Sequence, residues 1–135
     1  MPYPLRKISD NRNVGEQLYA YGNRVRIPMM TSCISLVGRF TFGRVVAVHL
    51  VVFGQEATFD SGVAQSAANI VAGCWERAIV GHIDCWAALP AFGELQDLVR
   101  PKIVDLSGPA IYGLEFKTAC RKLHYRTDSS GWAPV

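Results

Sequence analysis

The stretch that decides the fold is RIPMMTSCISLVGRFTFGRVVAVHLVVF, residues 26–53. It contains two apolar, β-branched segments around a short connection at residues 38–43, whose terminal glycines adopt turn conformations that other residues resist. The stretch therefore predicts two paired strands. Successive side chains of a strand point to opposite faces, so one face of the first strand would carry Met29, Thr31, Cys33, Ser35 and Val37.

The second strand, residues 45–53, has one polar side chain, His49, in an otherwise apolar run. A thiol on one strand and an imidazole on the next can come within hydrogen-bond reach, as a cysteine nucleophile with a histidine base requires. Taken singly, Cys33 and His49 each have an ordinary interpretation as core packing residues. Their positions on adjacent strands, and the order of the elements that follow, favour catalysis.

The composition describes one globular domain. A chain of 135 residues with half of its residues apolar and 19% charged can bury a core and is not disordered. The basic residues behind the net charge of +3 are scattered and lack interleaved stacking aromatics. Nucleic acid is therefore not an expected partner, whereas an acidic protein partner is left open.

The sequence gives no membrane or export signal that hydropathy can detect. The longest apolar run, residues 45–53, is too short to span a membrane, so no membrane association is expected. The amino terminus lacks the apolar segment of a signal peptide. We expect a cytoplasmic protein, or one delivered into a target cell by a route other than Sec.

The four cysteines are dispersed and form no CxxC pair, which argues against a disulfide framework. The tightest grouping with histidine is Cys74, His82 and Cys85. Cys74 falls in a helical pattern, and His82 and Cys85 would point to opposite faces of a strand. We therefore expect no metal and no cofactor.

The strand pair is flanked by segments of different character. Pro28 interrupts the first strand, and because proline removes a ladder donor, the backbone should bend just before Cys33. Residues 1–23 are expected to form an N-terminal arm, or a short lead-in strand or helix. Residues 24–126 would form the domain and residues 127–135 a flexible C-terminal tail.

Two helices are predicted after the strand pair. Asp60 or Ser61 would cap a helix over residues 63–78. Its buried stripe would comprise Ala64, Ala67, Ala68, Val71, Cys74, Trp75 and Ala78. The second helix would start at residue 90 or 92, bury Phe92, Leu95 and Leu98 or Val99, and end before Pro101.

Four further strands are predicted. Residues 79–89 would form a strand with His82 and Asp84 on one face, near the surface. Residues 103–106 would form a short strand, and residues 111–118 and 122–126 an antiparallel hairpin. The fold class is then α/β (α+β): a single-domain sandwich with a mixed, mostly antiparallel sheet and two helices packed on it.

Three stretches, TSC at residues 31–33, AVH at 47–49 and VDLSGPAIYGLEF at 104–116, carry a family resemblance. Together with the order of elements, they make residues 24–126 resemble the CheD-type chemotaxis glutamine deamidases, which share their site and core fold with the bacterial cytotoxic necrotizing factors. In this superfamily a histidine of the next strand follows the nucleophilic cysteine at a spacing close to the 16 residues between Cys33 and His49.

The resemblance implies that Cys33 is the nucleophile and His49 the general base of a protein-glutamine deamidase. Such an enzyme, a bacterial effector or toxin, converts a glutamine of a protein partner to glutamate and releases ammonia. It also implies a thiolate paired with imidazolium, in which the thiol pKa is depressed. The third catalytic group is open: Thr31, or a backbone carbonyl near Ile27, where the CheD type has an orienting threonine.

The chain departs from the CheD-type pattern at several positions. Thr31 stands where that family has glycine, and the family's glycine-rich stretch before the second helix is missing from CWAALPAFGELQDL, residues 85–98. An effector-like target is therefore as consistent with the sequence as a chemoreceptor.

Other functions are compatible with the same residues. Transamidation and peptide hydrolysis use the same dyad, and the sequence does not separate them from deamidation. From another class, the chain could be a catalytically silent protein-binding module of the same fold, with Cys33 and His49 in its core. A third option is a structural subunit that assembles through exposed strand edges.

Overall fold

The computed structural model describes residues 3–54, 57–108 and 111–135. These residues contain two α-helices, α1 (Ser61–Ile70) and α2 (Pro90–Val99), and two short 3-10 segments, Thr41–Gly43 and Ile83–Cys85. They also contain ten strands: β1 (Arg6–Lys7), β2 (Leu18–Gly22), β3 (Arg24–Met30), β4 (Ile34–Arg39), β5 (Val45–Leu50), β6 (Glu76–Gly81), β7 (Lys102–Asp105), β8 (Tyr112–Ala119), β9 (Lys122–Thr127) and β10 (Ala133–Pro134).

The strands form two sheets. The first has six strands in the order β1-β2-β5-β4-β6-β7, with parallel pairs at its two edges (β1 with β2, β6 with β7) and antiparallel pairs between them. The second is antiparallel, in the order β10-β9-β8-β3. It packs on one face of the first sheet through contacts of β3 and β8 with β5.

The helical layer covers the other face of the six-stranded sheet. A side chain at Gly38 on β4 would meet Cys74 and Val71, which follow α1 directly. The two helices also contact each other. The molecule is therefore a single-domain α+β sandwich with two helices on one face of a mixed sheet, which confirms the predicted fold class. Neither helix of the described residues has the length and apolar character needed to cross a membrane.

The first predicted strand is in fact two strands that belong to different sheets. The β3–β8 register shifts between Ile27 and Met30, where Pro28 lacks a backbone N–H, and the chain bends at Thr31 and Ser32. The predicted bend is confirmed, but the prediction of one continuous strand is wrong. Because the bend interrupts the alternation of faces, Met29 is exposed while Cys33 is buried. Cys33 lies at the corner where the chain crosses from one sheet to the other.

The predicted pairing of the two central strands is confirmed. In the β4–β5 ladder Ile34 lies opposite Leu50 and Ser35 opposite His49. Every residue of β5 is buried, as its apolar sequence requires.

The first helix is shorter than predicted. Its capping is confirmed, since the Asp60 side chain accepts a hydrogen bond from the Val63 amide at 3.0 Å. The helix ends at Ile70, and residues 71–75 form the turn that leads into β6. Trp75 is therefore 74% exposed, and its predicted place on the buried stripe is wrong. The second helix matches its prediction: Phe92, Leu95 and Val99 are buried.

The predicted strand over residues 79–89 ends early. Gly81 has φ +148°, and a Cβ there would lie 2.7 Å from the Cys33 carbonyl oxygen, so only glycine fits. The chain turns at this point into the Ile83–Cys85 segment. His82 and Asp84 therefore do not share a strand face, and His82 is buried rather than near the surface.

Both ends of the chain carry strands. Residues 3–23 supply β1 and β2, in agreement with the lead-in strand that was one of the predicted alternatives, and Tyr3 and Val14 are buried in the core. Residues 127–135 supply β10, which pairs with β9. Trp132 also packs over cationic groups of the four-stranded sheet: Arg24, Lys117 and Arg126. Pairing and packing hold both segments to the domain.

Replacing Gly38 by alanine should lower the free energy of unfolding by about 1–3 kcal/mol. The added Cβ would lie 2.3 Å from Cys74 Sγ and 2.9 Å from Cys74 Cβ, which would push the helical layer off the sheet. The matched control is Gly93→Ala on α2, where a Cβ meets nothing within 4 Å and should stabilise by about 1 kcal/mol. Denaturant titrations would measure both, and equal effects would contradict this account of the packing.

Candidate active site

Two hydrogen bonds to main-chain carbonyls hold the corner at Cys33 in place. The His82 amide donates to the Cys33 carbonyl at 3.1 Å, and the Trp86 indole donates to the Ser32 carbonyl at 2.9 Å. Trp86 is itself fully buried, in contact with Phe59 and Phe92. The bend that presents Cys33 is therefore fixed by the segment that follows β6.

Cys33 lies one residue before β4, and His49 lies near the end of β5. Ile34, the residue after Cys33, pairs with Leu50, and Ser35 pairs with His49. The corner that carries Cys33 is therefore at the same end of the β4–β5 ladder as His49. The carboxylate of Glu16 influences the pKa of both groups.

The His49 ring is oriented by a main-chain carbonyl. Its Nδ1 lies 3.0 Å from the Val14 oxygen. Because a carbonyl only accepts, Nδ1 carries the proton and Nε2 is left with a free lone pair. His49 is 2% exposed, and its Nε2 has no hydrogen-bond partner in the part of the chain that the structure describes. This tautomer is the one that a general base requires.

The loop that contains Val14 is tied to both sheets. Its Val14 amide donates to the Arg26 carbonyl on β3, and the Gln17 amide donates to the carbonyl of His49 itself. Arg12 adds an ion pair to the buried carboxylate of Glu115, which Arg126 also holds. The orienting carbonyl is therefore fixed relative to the imidazole.

Burial shifts both candidate groups toward their neutral forms. Burial raises the pKa of the Cys33 thiol, against hydrogen bonds from the Thr31 and Ser32 amides. Burial also lowers the pKa of His49, against its hydrogen bond to Val14. The resting pair is thus a thiol and a neutral imidazole, so the expected thiolate–imidazolium pair, with a depressed thiol pKa, does not hold.

Thr31 lies beside the thiol rather than beside the imidazole. Its hydroxyl opposes the rise in the thiol pKa of Cys33, and the residue is exposed. The role of orienting His49 belongs to Val14. The sequence carried no signal for this, because a main-chain carbonyl is common to every residue and only the tertiary fold selects one.

A surface hollow of about 360 Å³ lies next to this ladder position, and Glu16, Gln17, Val51, Phe53 and Gly54 line it. Tyr3 closes one side of the ladder, because its hydroxyl donates to the Val51 carbonyl at 2.7 Å and accepts from the Val51 amide at 3.1 Å. Cys33 itself is only 3% exposed.

The grouping of Cys74, His82 and Cys85 is not assembled as a metal site. Cys74 packs against Gly38 on the helical face, whereas the His82 ring stacks on Tyr112 with centroids 4.9 Å apart. Among the described residues, no group of three or more His, Cys, Asp and Glu side chains is placed to hold a metal ion.

The buried His49 predicts a pH-dependent stability. Because its pKa is lower in the folded than in the unfolded chain, the unfolded chain takes up a proton first as the pH falls from 7 toward 5. The free energy of unfolding should therefore decline over that range, and His49→Gln should flatten the decline. Denaturant titrations at pH 5, 6 and 7 measure it, with His124→Gln on the exposed hairpin as control. An unchanged slope in His49→Gln would contradict the assignment.

The neutral resting pair predicts slow alkylation of Cys33. With iodoacetamide at pH 7, the exposed Cys85 and Cys120 should react first. Cys33 should react slowly, as should Cys74, whose pKa burial raises to about 11. Peptide mass spectrometry across pH 6–9 would measure the rate at each site. Fast labelling of Cys33 that depends on His49 would instead establish a thiolate–imidazolium pair.

Comparisons with known proteins supply no relative for this site. No family model, no curated protein and no solved structure matches the chain. What Cys33 and His49 do is therefore argued from their own geometry.

Proposed function

We propose that the chain is a cysteine-dependent protein-glutamine deamidase with Cys33 as nucleophile and His49 as general base. The observation that carries the proposal is the state of His49: it is buried, with Nδ1 on the Val14 carbonyl and Nε2 unpartnered among the described residues. It lies at the end of the β4–β5 ladder that adjoins Cys33. A histidine that only packs would gain stability from a second hydrogen bond, since an unpartnered buried acceptor costs about 1–3 kcal/mol.

The first half of the reaction follows from the neutral resting pair. His49 Nε2 takes the thiol proton as Cys33 Sγ attacks the carboxamide carbon of a glutamine. The oxyanion that forms needs nearby donors, and the Thr31 and Ser32 amides already lie beside the sulfur. His49 then gives its proton to the departing nitrogen. The C–N bond breaks, ammonia leaves and a thioester remains on Cys33.

The second half uses the same base on water. His49 takes a proton from a water molecule as its oxygen attacks the thioester carbonyl, and the C–S bond breaks with return of the proton to the sulfur. The product is glutamate, and the enzyme is restored. The Val14 carbonyl stabilises the imidazolium in both halves, because it accepts the Nδ1 proton throughout.

Burial of the thiol favours a carboxamide over a peptide bond as substrate. A backbone peptide bond continues as chain on both sides and needs an open cleft, whereas a glutamine side chain ends at its amide. Cys33 is only 3% exposed, so no open cleft in the described part of the chain reaches its side chain. Transamidation differs only in that an amine replaces water at the thioester.

The competing proposal is a catalytically silent binding module of the same fold. The burial of Cys33 and its raised thiol pKa favour this alternative, since both describe a core cysteine. It differs from the enzyme in one measurable respect: loss of the thiol would have no chemical consequence.

Incubation of the protein with native bacterial and animal-cell lysates in ¹⁸O-water should distinguish these functions. A deamidase leaves ¹⁸O in new glutamate side chains, a protease leaves it at new carboxyl termini, and added methylamine would appear at glutamine under transamidation. We expect labelled glutamate with the wild-type chain, and a decrease of at least about 100-fold with Cys33→Ala or His49→Ala.

The matched control is Cys74→Ala, which removes another buried thiol but should leave the labelling unchanged. Label that persists in Cys33→Ala would show that a contaminating enzyme is responsible. If no label appears in either lysate and the variants do not differ from the wild-type chain, the binding module is favoured.

A further inference from the structure

Basic side chains that are scattered in the sequence gather at the end of the sandwich opposite Cys33. We call this region the basic end: Arg39, Arg77, Arg100, Lys102, Arg121 and Lys122, around Trp75 and Glu76. They line a groove of about 430 Å³. Strand β4 runs from the Cys33 corner to Arg39, so the groove lies about 20 Å from the candidate active site.

The positive charge of the groove is only partly compensated. Glu76 is the one carboxylate among its lining residues, and it already pairs with Arg39 and Lys102. These hydrogen bonds and one from the Leu123 amide outweigh burial and lower the pKa of Glu76, which keeps it ionised. Within the described residues, no carboxylate forms an ion pair with Arg100, Arg121 or Lys122, which leaves three cations for an anionic ligand.

The indole ring of Trp75 lies in the groove, where a hydrogen bond fixes its position. Trp75 Nε1 donates to Thr41 Oγ1 at 3.0 Å, while most of the ring is exposed. On its other side a second hollow of about 230 Å³ is bordered by Cys74, Leu98 and Val99. Phe42, next to Thr41, is fully exposed. One exposed aromatic ring, that of Trp75, therefore lies among the cations, and a second lies next to the residue that holds it.

Strained backbone holds several of these side chains in place. Five non-glycine residues in the described part of the chain adopt a left-handed conformation, and two of them belong to the basic end: Arg100 (φ +52°) and Arg121 (+60°). A third, Phe42 (+66°), follows Thr41, the partner of the Trp75 indole. Glycine would adopt this conformation at lower cost. Retaining long cationic and aromatic side chains at strained positions is typical of functional surfaces.

We propose that the basic end binds single-stranded nucleic acid, with phosphates on Arg100, Arg121 and Lys122 and a base stacked on Trp75. Cations along a groove, combined with a fixed and exposed aromatic ring, are the features that bind single strands without sequence preference. Acidic side chains of a protein would use the cations, but Asp and Glu offer no planar ring to stack on the indole. The proposal reverses the expectation from sequence, because folding, not chain order, brings the cations and Trp75 together.

The charge distribution makes the candidate active site unfavourable for a polyanionic ligand. Glu16, Asp60 and Asp105 lie near Tyr3 and Tyr112 at the Cys33 end, where they raise the pKa values of those tyrosines in addition to burial. A polyanion would be attracted to one end and repelled from the other. Binding at the basic end is independent of the proposed deamidase chemistry.

Fluorescence anisotropy with a fluorescein-labelled oligothymidylate of about 20 nucleotides would test the proposal on the full chain. We expect binding that weakens as the salt concentration rises from about 50 to about 200 mM. Arg121→Gln/Lys122→Gln should weaken binding about tenfold and reduce the log–log salt slope by about 1.4. Trp75→Ala should weaken it about tenfold without changing that slope.

The matched control is Arg6→Gln/Lys7→Gln, which removes two exposed cations from β1 on the far edge of the six-stranded sheet. It should bind like wild type, as should Cys33→Ala. Equal losses in the two double variants, or no effect of Trp75→Ala, would overturn the proposal. Equal affinity for a labelled polyglutamate of similar length would also overturn it, and would identify an acidic protein as the partner of this end.

Discussion

The antiparallel pairing of β4 with β5 is the interaction on which the rest of the structure depends. Each strand is also bonded on its other edge, β4 to β6 and β5 to β2, so both lie inside the six-stranded sheet. With helices on one face and the second sheet on the other, the residues of these strands must be apolar or fully hydrogen-bonded. His49 meets this demand only in part, through one ring nitrogen, and the hydroxyl of Ser35 opposite it also has no partner among the described residues.

The corner between the two sheets gives Cys33 its chemistry. Because β3 and β4 belong to different sheets, the chain has to turn at residues 31–33, and the turn brings the Thr31 and Ser32 amides to the thiol. Cys33 is buried at this crossing, and the burial raises the pKa of its thiol. A neutral thiol beside a neutral imidazole can still act as nucleophile and base, because the proton moves during attack rather than before it.

The two ends of the sandwich differ in charge. At the Cys33 end the nearest charged groups are carboxylates, and at the other end cations surround the single carboxylate Glu76. A net charge of +3 conceals this separation, since it sums groups that the fold keeps about 20 Å apart. The charge that matters for recognition is the local one, and it is set by which strand ends and turns meet.

Local signals in the sequence were enough to predict the β4–β5 pair from its apolar runs, the cap at Asp60, the second helix up to Pro101, and the bend that Pro28 forces before Cys33. The same signals placed His49 on β5, whereas Cys33, predicted to lie on a strand, precedes β4. The sequence did not determine that β3 and β4 part into different sheets, that α1 stops at Ile70, or that His82 is buried. Nor could it show that the Val14 carbonyl orients His49 or that Trp75 stands among cations. Those features depend on contacts between residues far apart in the chain, which pattern and spacing do not encode and only the packed layers decide.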